Sequence, residues 1–123
     1  MHNFIEWDNE KKVFCVPKGG CMLDINEWFE TYIGSERFSI HEYIGKIDAD
    51  NKRIFANSSI VEIGFSWQES KDRIKGFFDY DKAALGYVIW DLEKNDYIDY
   101  DVTKMQYFKI IDTVQENKLG LVK

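Results

Sequence analysis

Short runs in which apolar and polar residues alternate are the feature that most restricts how this chain can fold. Residues 60–67 show it well, with Val61, Ile63 and Phe65 on one face and Glu62 on the opposite, solvated face. Similar runs cover residues 74–80, 86–92, 97–102 and 107–114. Because a half-buried strand buries every second side chain, the pattern predicts an antiparallel sheet of short strands that closes or nearly closes. Gly76 lies within one run and predicts a bend or bulge there.

The composition and the turns favour sheet as well. Ile and Val number 21, whereas the helix formers Ala and Leu number nine. A polar turn at 8–12 separates apolar-aromatic runs at 4–7 and 13–16, which predicts an N-terminal hairpin. Residues 24–33 fit either a short helix capped by Asp24, which we favour, or a strand. The predicted fold class is mainly β, α+β at most, with antiparallel strands in a small SH3-like or partly open barrel, an N-terminal hairpin and one short helix.

The length of 123 residues is that of one ordinary domain. We expect a single domain over 1–123, within which an N-terminal subdomain, 1–42, can be distinguished from a barrel core, 43–117. No run of ten apolar residues occurs, so the sequence predicts no membrane-spanning helix and a cytoplasmic location. We find no internal repeat.

The net charge of −6 is concentrated in one segment. Residues 79–101 carry seven acidic and two basic side chains, so this hairpin-sized segment has a net charge of −5. Because nucleic acids are bound mainly through Lys and Arg, this charge disfavours a nucleic-acid partner and favours a basic protein. The candidate acidic interaction surface, which we expect to be exposed, consists of Asp91, Glu93, Asp96, Asp99 and Asp101.

Residue types that bind metals or carry catalysis show no recognised spacing. The cysteines and histidines do not have the spacing of a zinc site, and we interpret them as buried thiols and solvated imidazoles. Whether the two cysteines form a disulfide stays open. The acidic segment lacks EF-hand spacing, and the sequence has no nucleophile elbow or phosphate-binding loop. We therefore predict no metal site, no cofactor and no catalytic residue, that is, a protein that is not an enzyme. The cysteines and histidines considered as zinc ligands are Cys15, Cys21, His2 and His41.

Five large aromatic side chains permit more than one interpretation. Barrels that bind single-stranded nucleic acid stack bases on aromatic rings flanked by Lys and Arg. Here the basic residues at 71–75 are interrupted by Asp72, which favours core packing or, where the rings are exposed, a surface for a protein partner. The five side chains are Trp7, Trp28, Trp67, Trp90 and Phe77.

Four segments, in chain order, match the pattern of one known family. The first two are Phe4–Asp8 and residues 43–63, the latter with Tyr43-Ile44-Gly45-Lys46-Ile47-Asp48, Lys52-Arg53-Ile54-Phe55 and Ser59-Ile60-Val61-Glu62-Ile63. The other two are Lys75–Tyr80, followed by Gly86–Val88, and Ile110–Asn117. Together they resemble the YopX family of phage and prophage proteins. Departures from the family pattern at Ser58, Ser59, Asp112 and Lys118 identify a divergent member.

The resemblance implies an origin more than an activity. It implies a phage-derived protein in the cytoplasm of a bacterial host, with a mostly β fold that includes a small barrel. The family's signature residues look structural, with Gly45 permitting a positive φ and Ile60, Val61 and Ile63 in the core. We expect an accessory protein that acts as a non-catalytic protein-binding module for a host or phage protein. The alternatives are a nucleic-acid-associated accessory factor and, third, a metal-assisted enzyme.

Overall fold

The computed structural model describes residues 4–15, 36–65, 73–81, 86–99 and 105–122. Regular secondary structure in these segments consists of strands. The strands are β1 (Phe4–Asp8), β2 (Val13–Cys15), β3 (Phe38–Ile47), β4 (Arg53–Phe55), β5 (Ser59–Phe65), β6 (Ile74–Asp81), β7 (Gly86–Asp91), β8 (Asp96–Asp99) and β9 (Met105–Thr113).

The strands form two antiparallel sheets. One has the order β2-β1-β3-β4, and the other has the order β8-β7-β6-β5-β9. The mainly β class, the N-terminal hairpin and the partly open barrel are confirmed, since the structure contains a curled half-barrel. The predicted helix at 24–33 lies outside the described residues. No described segment forms a helix that is long and apolar enough to cross a membrane.

The chain divides into two compact units, Met1–Tyr43 and Ile44–Lys123. In the first unit, β1 pairs with β2 on one side and with β3 on the other. Trp7 is buried and lies opposite Phe14 in the β1–β2 register, with ring centroids 4.7 Å apart. This aromatic pair joins the two strands of the N-terminal hairpin.

The core of the second unit follows the alternation of its strands. Val61 and Ile63 are fully buried, as predicted, whereas Phe65 is partly exposed. Glu62 is not freely solvated, because it is only a quarter exposed and its Oε1 lies 3.1 Å from Arg73 Nη1. The buried apolar cluster consists of Ile54, Val61, Ile63, Phe78, Ile89, Met105 and Phe108.

The irregularities of the five-stranded sheet do not lie where the sequence predicted. The β5–β9 register shifts between Ile60 and Val61 and again between Gly64 and Phe65. Gly76, where the sequence predicted a bend or bulge, keeps regular register with both neighbouring strands, so no bulge lies there. A Cβ at Gly76 would clash with the carbonyl oxygen of Trp90, so glycine here permits β6 and β7 to approach closely. The positive φ expected at Gly45 is confirmed at 86°.

Candidate functional site

The predicted acidic surface is wrong at one of its residues, Asp91. Its side chain is buried, with 2% exposed, and its Oδ1 accepts hydrogen bonds from the backbone N–H groups of Glu93 (3.0 Å) and Lys94 (3.2 Å). Its carbonyl oxygen accepts a third from Asn95 N–H at 2.9 Å. Asp91 therefore shapes the β7–β8 turn and does not contribute to an exposed surface.

The other predicted residues have different positions. Glu93 lies in the β7–β8 turn and Asp96 begins β8, and both are exposed. Asp99 ends β8, but its side chain is outside the described part of the structure, as is the whole of Asp101. The structure thus places two exposed carboxylates at this end of the hairpin.

The β7–β8 turn repeats the β1–β2 turn, which the sequence reading missed. Trp7-Asp8-Asn9-Glu10-Lys11-Lys12 and Trp90-Asp91-Leu92-Glu93-Lys94-Asn95 share the pattern Trp-Asp-x-Glu-Lys. Asp8 Oδ1 likewise accepts hydrogen bonds from the backbone N–H groups two and three residues after it, those of Glu10 (3.0 Å) and Lys11 (3.2 Å). The last loop residue has a positive φ in both turns, 57° at Lys12 and 52° at Asn95. The shared segment is only six residues long, so the equivalence of the two turns is evident from their hydrogen bonds rather than from the sequence.

The two hairpins differ in what their Trp side chains face. In the second hairpin, Trp90 lies opposite Tyr97 in register, as Trp7 lies opposite Phe14 in the first. The ring centroids of Trp90 and Tyr97 are 4.6 Å apart with the planes at 71°. Trp7 is buried, but Trp90 is partly exposed and Tyr97 is 52% exposed. The second hairpin therefore presents its aromatic pair at the surface.

A third ring extends this pair into a row across three strands. Phe77 on β6 pairs with Trp90 on β7, which pairs with Tyr97 on β8. The row lies on the face opposite the core, because the adjacent registered pair, Phe78 and Ile89, is fully buried. Three aromatic side chains in register, each at least partly exposed, therefore lie on this face of β6–β8.

A carboxylate, Asp79, lies beside this row. It is two residues beyond Phe77 on the same face of β6, and its Oδ2 accepts a hydrogen bond from the Tyr97 hydroxyl at 3.0 Å. Its Oδ1 accepts from Asn57 Nδ2 at 3.0 Å and from Tyr80 N–H at 2.9 Å. The aromatic–acidic face is defined here as Phe77, Asp79, Trp90 and Tyr97. The sequence analysis counted Asp79 in the acidic segment but did not assign it to the site. Its contact with Tyr97 joins β6 to β8 across β7, and such a contact leaves no local sequence pattern.

Two further buried carboxylates have structural roles in the second unit. Asp48 accepts backbone N–H groups of Asp50 (3.0 Å) and Lys52 (2.8 Å) with Oδ1 and of Ile110 (3.0 Å) with Oδ2. Burial acts to raise the pKa of Asp48, but these backbone hydrogen bonds outweigh it and lower the pKa. Since Ala49 N–H also donates to Phe108 O at 2.8 Å, this turn covers part of the β9 edge.

Asp112 shows the same pattern near the C-terminal end of β9. It accepts the backbone N–H groups of Thr113 (2.8 Å) and Leu119 (2.9 Å). Burial again acts to raise the pKa, and the backbone hydrogen bonds, from Leu119 first, lower it overall. Asp48 and Asp112 are thus engaged by the backbone and are poorly suited to general acid–base chemistry.

An arginine also packs on a tyrosine ring in this sheet, where Arg73, just before β6, meets Tyr107 of β9 and Glu62 of β5. The Arg73 guanidinium lies 3.8 Å from the centroid of the Tyr107 ring, while Nη1 lies 3.1 Å from Glu62 Oε1. Gly64 makes room for both, since a Cβ there would lie 3.1 Å from Tyr107 Cβ and 3.4 Å from Arg73 Nε. The Arg73 guanidinium thus has both its aromatic and its carboxylate partner within this chain.

Within the described residues, no group of three or more His, Cys, Asp and Glu side chains is placed to hold a metal ion. His41 is buried and its Nε2 lies 2.8 Å from Ser39 Oγ, so the expectation of a solvated imidazole is wrong for this residue. Cys15 Sγ donates to Glu6 Oε1 at 3.2 Å. His2 and Cys21, and with them the question of a disulfide, lie outside the described residues.

The described part of the chain belongs to the class of antiparallel, mainly β proteins, with an aromatic–acidic surface on one sheet. In comparisons with known proteins, no family model matches the chain and no curated protein matches it significantly. Its function is therefore inferred from the residues of this surface and from their geometry.

Proposed function

We propose that this chain is a phage or prophage accessory protein, related to the YopX family, that works without catalysis by binding a host or phage protein in the bacterial cytoplasm. The aromatic–acidic face on β6–β8 is the observation that carries the binding role. The sequence resemblance supports the proposed origin.

The rings of this face suit a protein interface. Interface cores are enriched in Trp, Tyr and Phe, and the residues that contribute most to affinity are often Trp and Tyr near the centre. Here a Trp lies at the middle of a three-ring row on rigid strands, with a Phe and a Tyr on either side. These residues lie on strands, so their backbone is already ordered and little backbone freedom is lost when a partner covers them.

The charge around the rings selects the kind of partner. Asp79 lies on this face, Glu93 and Asp96 are exposed at the end of the hairpin, and residues 79–101 carry a net charge of −5. A surface of this charge attracts a basic partner and repels nucleic acid. The partner is therefore a protein that presents basic residues.

A capture experiment with matched variants tests this proposal. The full chain is immobilised, and proteins retained from a lysate of the bacterial host, with and without nuclease treatment, are quantified by mass spectrometry. Tyr97→Ala removes the exposed ring of the face. Tyr80→Ala is the matched control, because Tyr80 is 48% exposed on the same sheet but shares the core face with Phe78.

We expect a basic protein that the wild type and Tyr80→Ala retain, that Tyr97→Ala loses, and that elutes as salt approaches 1 M. The salt dependence follows from the Debye length, which falls from about 10 Å at 0.1 M to about 3 Å at 1 M. Equal retention by all three chains, or a bound fraction that disappears on nuclease treatment, would contradict the proposal.

A further inference from the structure

We infer that the aromatic–acidic face binds an arginine side chain of its partner in preference to lysine, with the guanidinium stacked on the Tyr97–Trp90 pair and one N–H directed at Asp79. This inference rests on the proposed function, since it names the chemical group that the same face recognises. It is argued from the way in which the chain places its own arginines.

Arg73 shows the arrangement in the same sheet. Its guanidinium lies 3.8 Å from the centroid of Tyr107, and its Nη1 is 3.1 Å from Glu62. The tyrosine and the carboxylate come from different strands, as Tyr97 and Asp79 do. Arg73 is about a quarter exposed, so the arrangement forms at a partly solvated surface.

Arg37, in the first unit, has the same arrangement of a guanidinium against an aromatic ring and a carboxylate. Its guanidinium carbon lies 4.7 Å from the centroid of the Phe38 ring, and its Nε and Nη2 donate to Asp8 at 3.1 and 3.2 Å. Both arginines therefore combine an aromatic ring with a carboxylate. A planar guanidinium suits this combination, because it stacks on a ring with its face while its edge N–H groups point at an acceptor.

The same two groups, an aromatic ring and a carboxylate, are presented at the surface by Tyr97, Trp90 and Asp79. Tyr97 is 52% exposed, and its hydroxyl is held 3.0 Å from Asp79 Oδ2. The Trp90 ring lies at 71° to it and offers a second aromatic surface. A cation placed against these rings is attracted by both ring quadrupoles and by the carboxylate.

The hydrogen bonds of Asp79 limit how an arginine binds. A carboxylate has about four acceptor sites. Oδ1 accepts from Asn57 and Tyr80, and Oδ2 accepts from Tyr97. Counting only contacts with described residues, one acceptor site is left, on Oδ2 beside the Tyr97 hydroxyl, so a guanidinium donates a single N–H there rather than a bidentate pair. Stacking on the rings therefore has to supply the discrimination against lysine, whose ammonium is compact and strongly hydrated.

The test uses three synthetic peptides of alternating glycine and a second residue, which is arginine, lysine or glutamine. Each carries a fluorescent dye, and its Kd for the full chain is measured by fluorescence anisotropy at low salt. We expect the arginine peptide to bind about fivefold more tightly than the lysine peptide, the size expected for one exposed cation–π contact. The glutamine peptide should not bind measurably.

Variants separate stacking from general attraction. Tyr97→Ala should abolish the preference for arginine, whereas Tyr80→Ala, equally exposed on the opposite face, should keep it. Asp50→Asn removes an exposed negative charge from a different turn and should also keep it. Circular dichroism verifies that each variant is folded.

Equal Kd values for the arginine and lysine peptides would overturn the inference and leave the proposed function intact. A preference that survives in Tyr97→Ala would overturn it as well. Absence of binding by either basic peptide would also overturn it, and the capture experiment then decides the proposed function separately.

Discussion

Gly76 illustrates how one residue controls the surface beside it. It lies next to Phe77 on β6, and its missing side chain lets the strand approach the carbonyl oxygen of Trp90 on β7. An added methyl group meets backbone rather than a flexible side chain, so relief requires β6 and β7 to move apart. That movement would also shift the row of rings.

We therefore expect Gly76→Ala to lower the free energy of unfolding by about 1–3 kcal/mol, the usual cost of overpacking. Urea denaturation followed by tryptophan fluorescence measures it. Gln106→Ala, at an exposed position of β9, is the control and should change stability by less than about 0.5 kcal/mol. Equal stability of the two variants would show that β6 and β7 tolerate the methyl group.

At the scale of the element, the two Trp-Asp-x-Glu-Lys hairpins use one turn for two purposes. In both, a buried aspartate accepts two backbone N–H groups and sets a four-residue loop. In the first hairpin, the Trp packs inward. In the second, the same turn presents Trp90 and Tyr97 at the surface.

The turn aspartate should matter more than the exposed acids around it. Asp91→Ala leaves the N–H groups of Glu93 and Lys94 without their acceptor, so we expect a loss of about 1–3 kcal/mol in the free energy of unfolding. Asp91→Asn retains an oxygen and should lose less. Glu93→Ala, an exposed position in the same turn, should lose less than about 0.5 kcal/mol. Chemical denaturation measures all three, and similar losses in all three would contradict this role for Asp91.

Carboxylates with a lowered pKa connect the stability of the whole molecule to pH. Hydrogen bonds from Arg37 lower the pKa of Asp8 from 3.8 to about 2 in the first unit. In the second unit, backbone hydrogen bonds outweigh burial and lower the pKa of Asp48 and Asp112. A group whose pKa is lower in the folded state binds protons more weakly there than in the unfolded chain. Its contribution to stability is therefore present above the unfolded pKa and is lost as the pH falls towards the folded pKa.

We thus expect the melting temperature to stay nearly constant from pH 7 to about pH 5 and to fall between about pH 5 and pH 2. Asp48→Asn should be less stable than the wild type at pH 7 and should lose less on acidification, because the titrating group is gone. Thermal melts at a series of pH values give both comparisons. A melting temperature independent of pH over this range would contradict the role of these carboxylates.

Much of the fold follows from local pattern. The alternating runs at 74–80 and 86–92 lie within one residue of β6 and β7, and the positive φ at Gly45 is confirmed. β4, by contrast, spans three residues, too few for alternation to show. Gly76 was interpreted as a bend or bulge, but it keeps regular register and lies close to the carbonyl oxygen of Trp90. A glycine within a strand has the same sequence signature whether it forms a bulge or admits a neighbouring backbone.

The candidate site was predictable in part. The sequence indicated a local excess of acid and singled out Trp90 and Phe77, but it favoured core packing for these rings over an exposed surface. It did not show that Asp91 turns inward, since an aspartate in a turn looks the same whether its carboxylate meets water or backbone N–H groups. It also did not connect Asp79 on β6 with Tyr97 on β8, which are 18 residues apart and meet across the intervening strand β7.

The sequence by itself determined where most of the longer described strands and their turns lie, because side-chain alternation and turn residues act between near neighbours in the chain. Only the tertiary structure decided which face of each strand is covered and which carboxylates remain at the surface. Those properties depend on the register between strands that are distant in sequence, and a shift of one residue would move every ring to the other face. The row of Phe77, Trp90 and Tyr97 beside Asp79 is therefore a property of strand pairing.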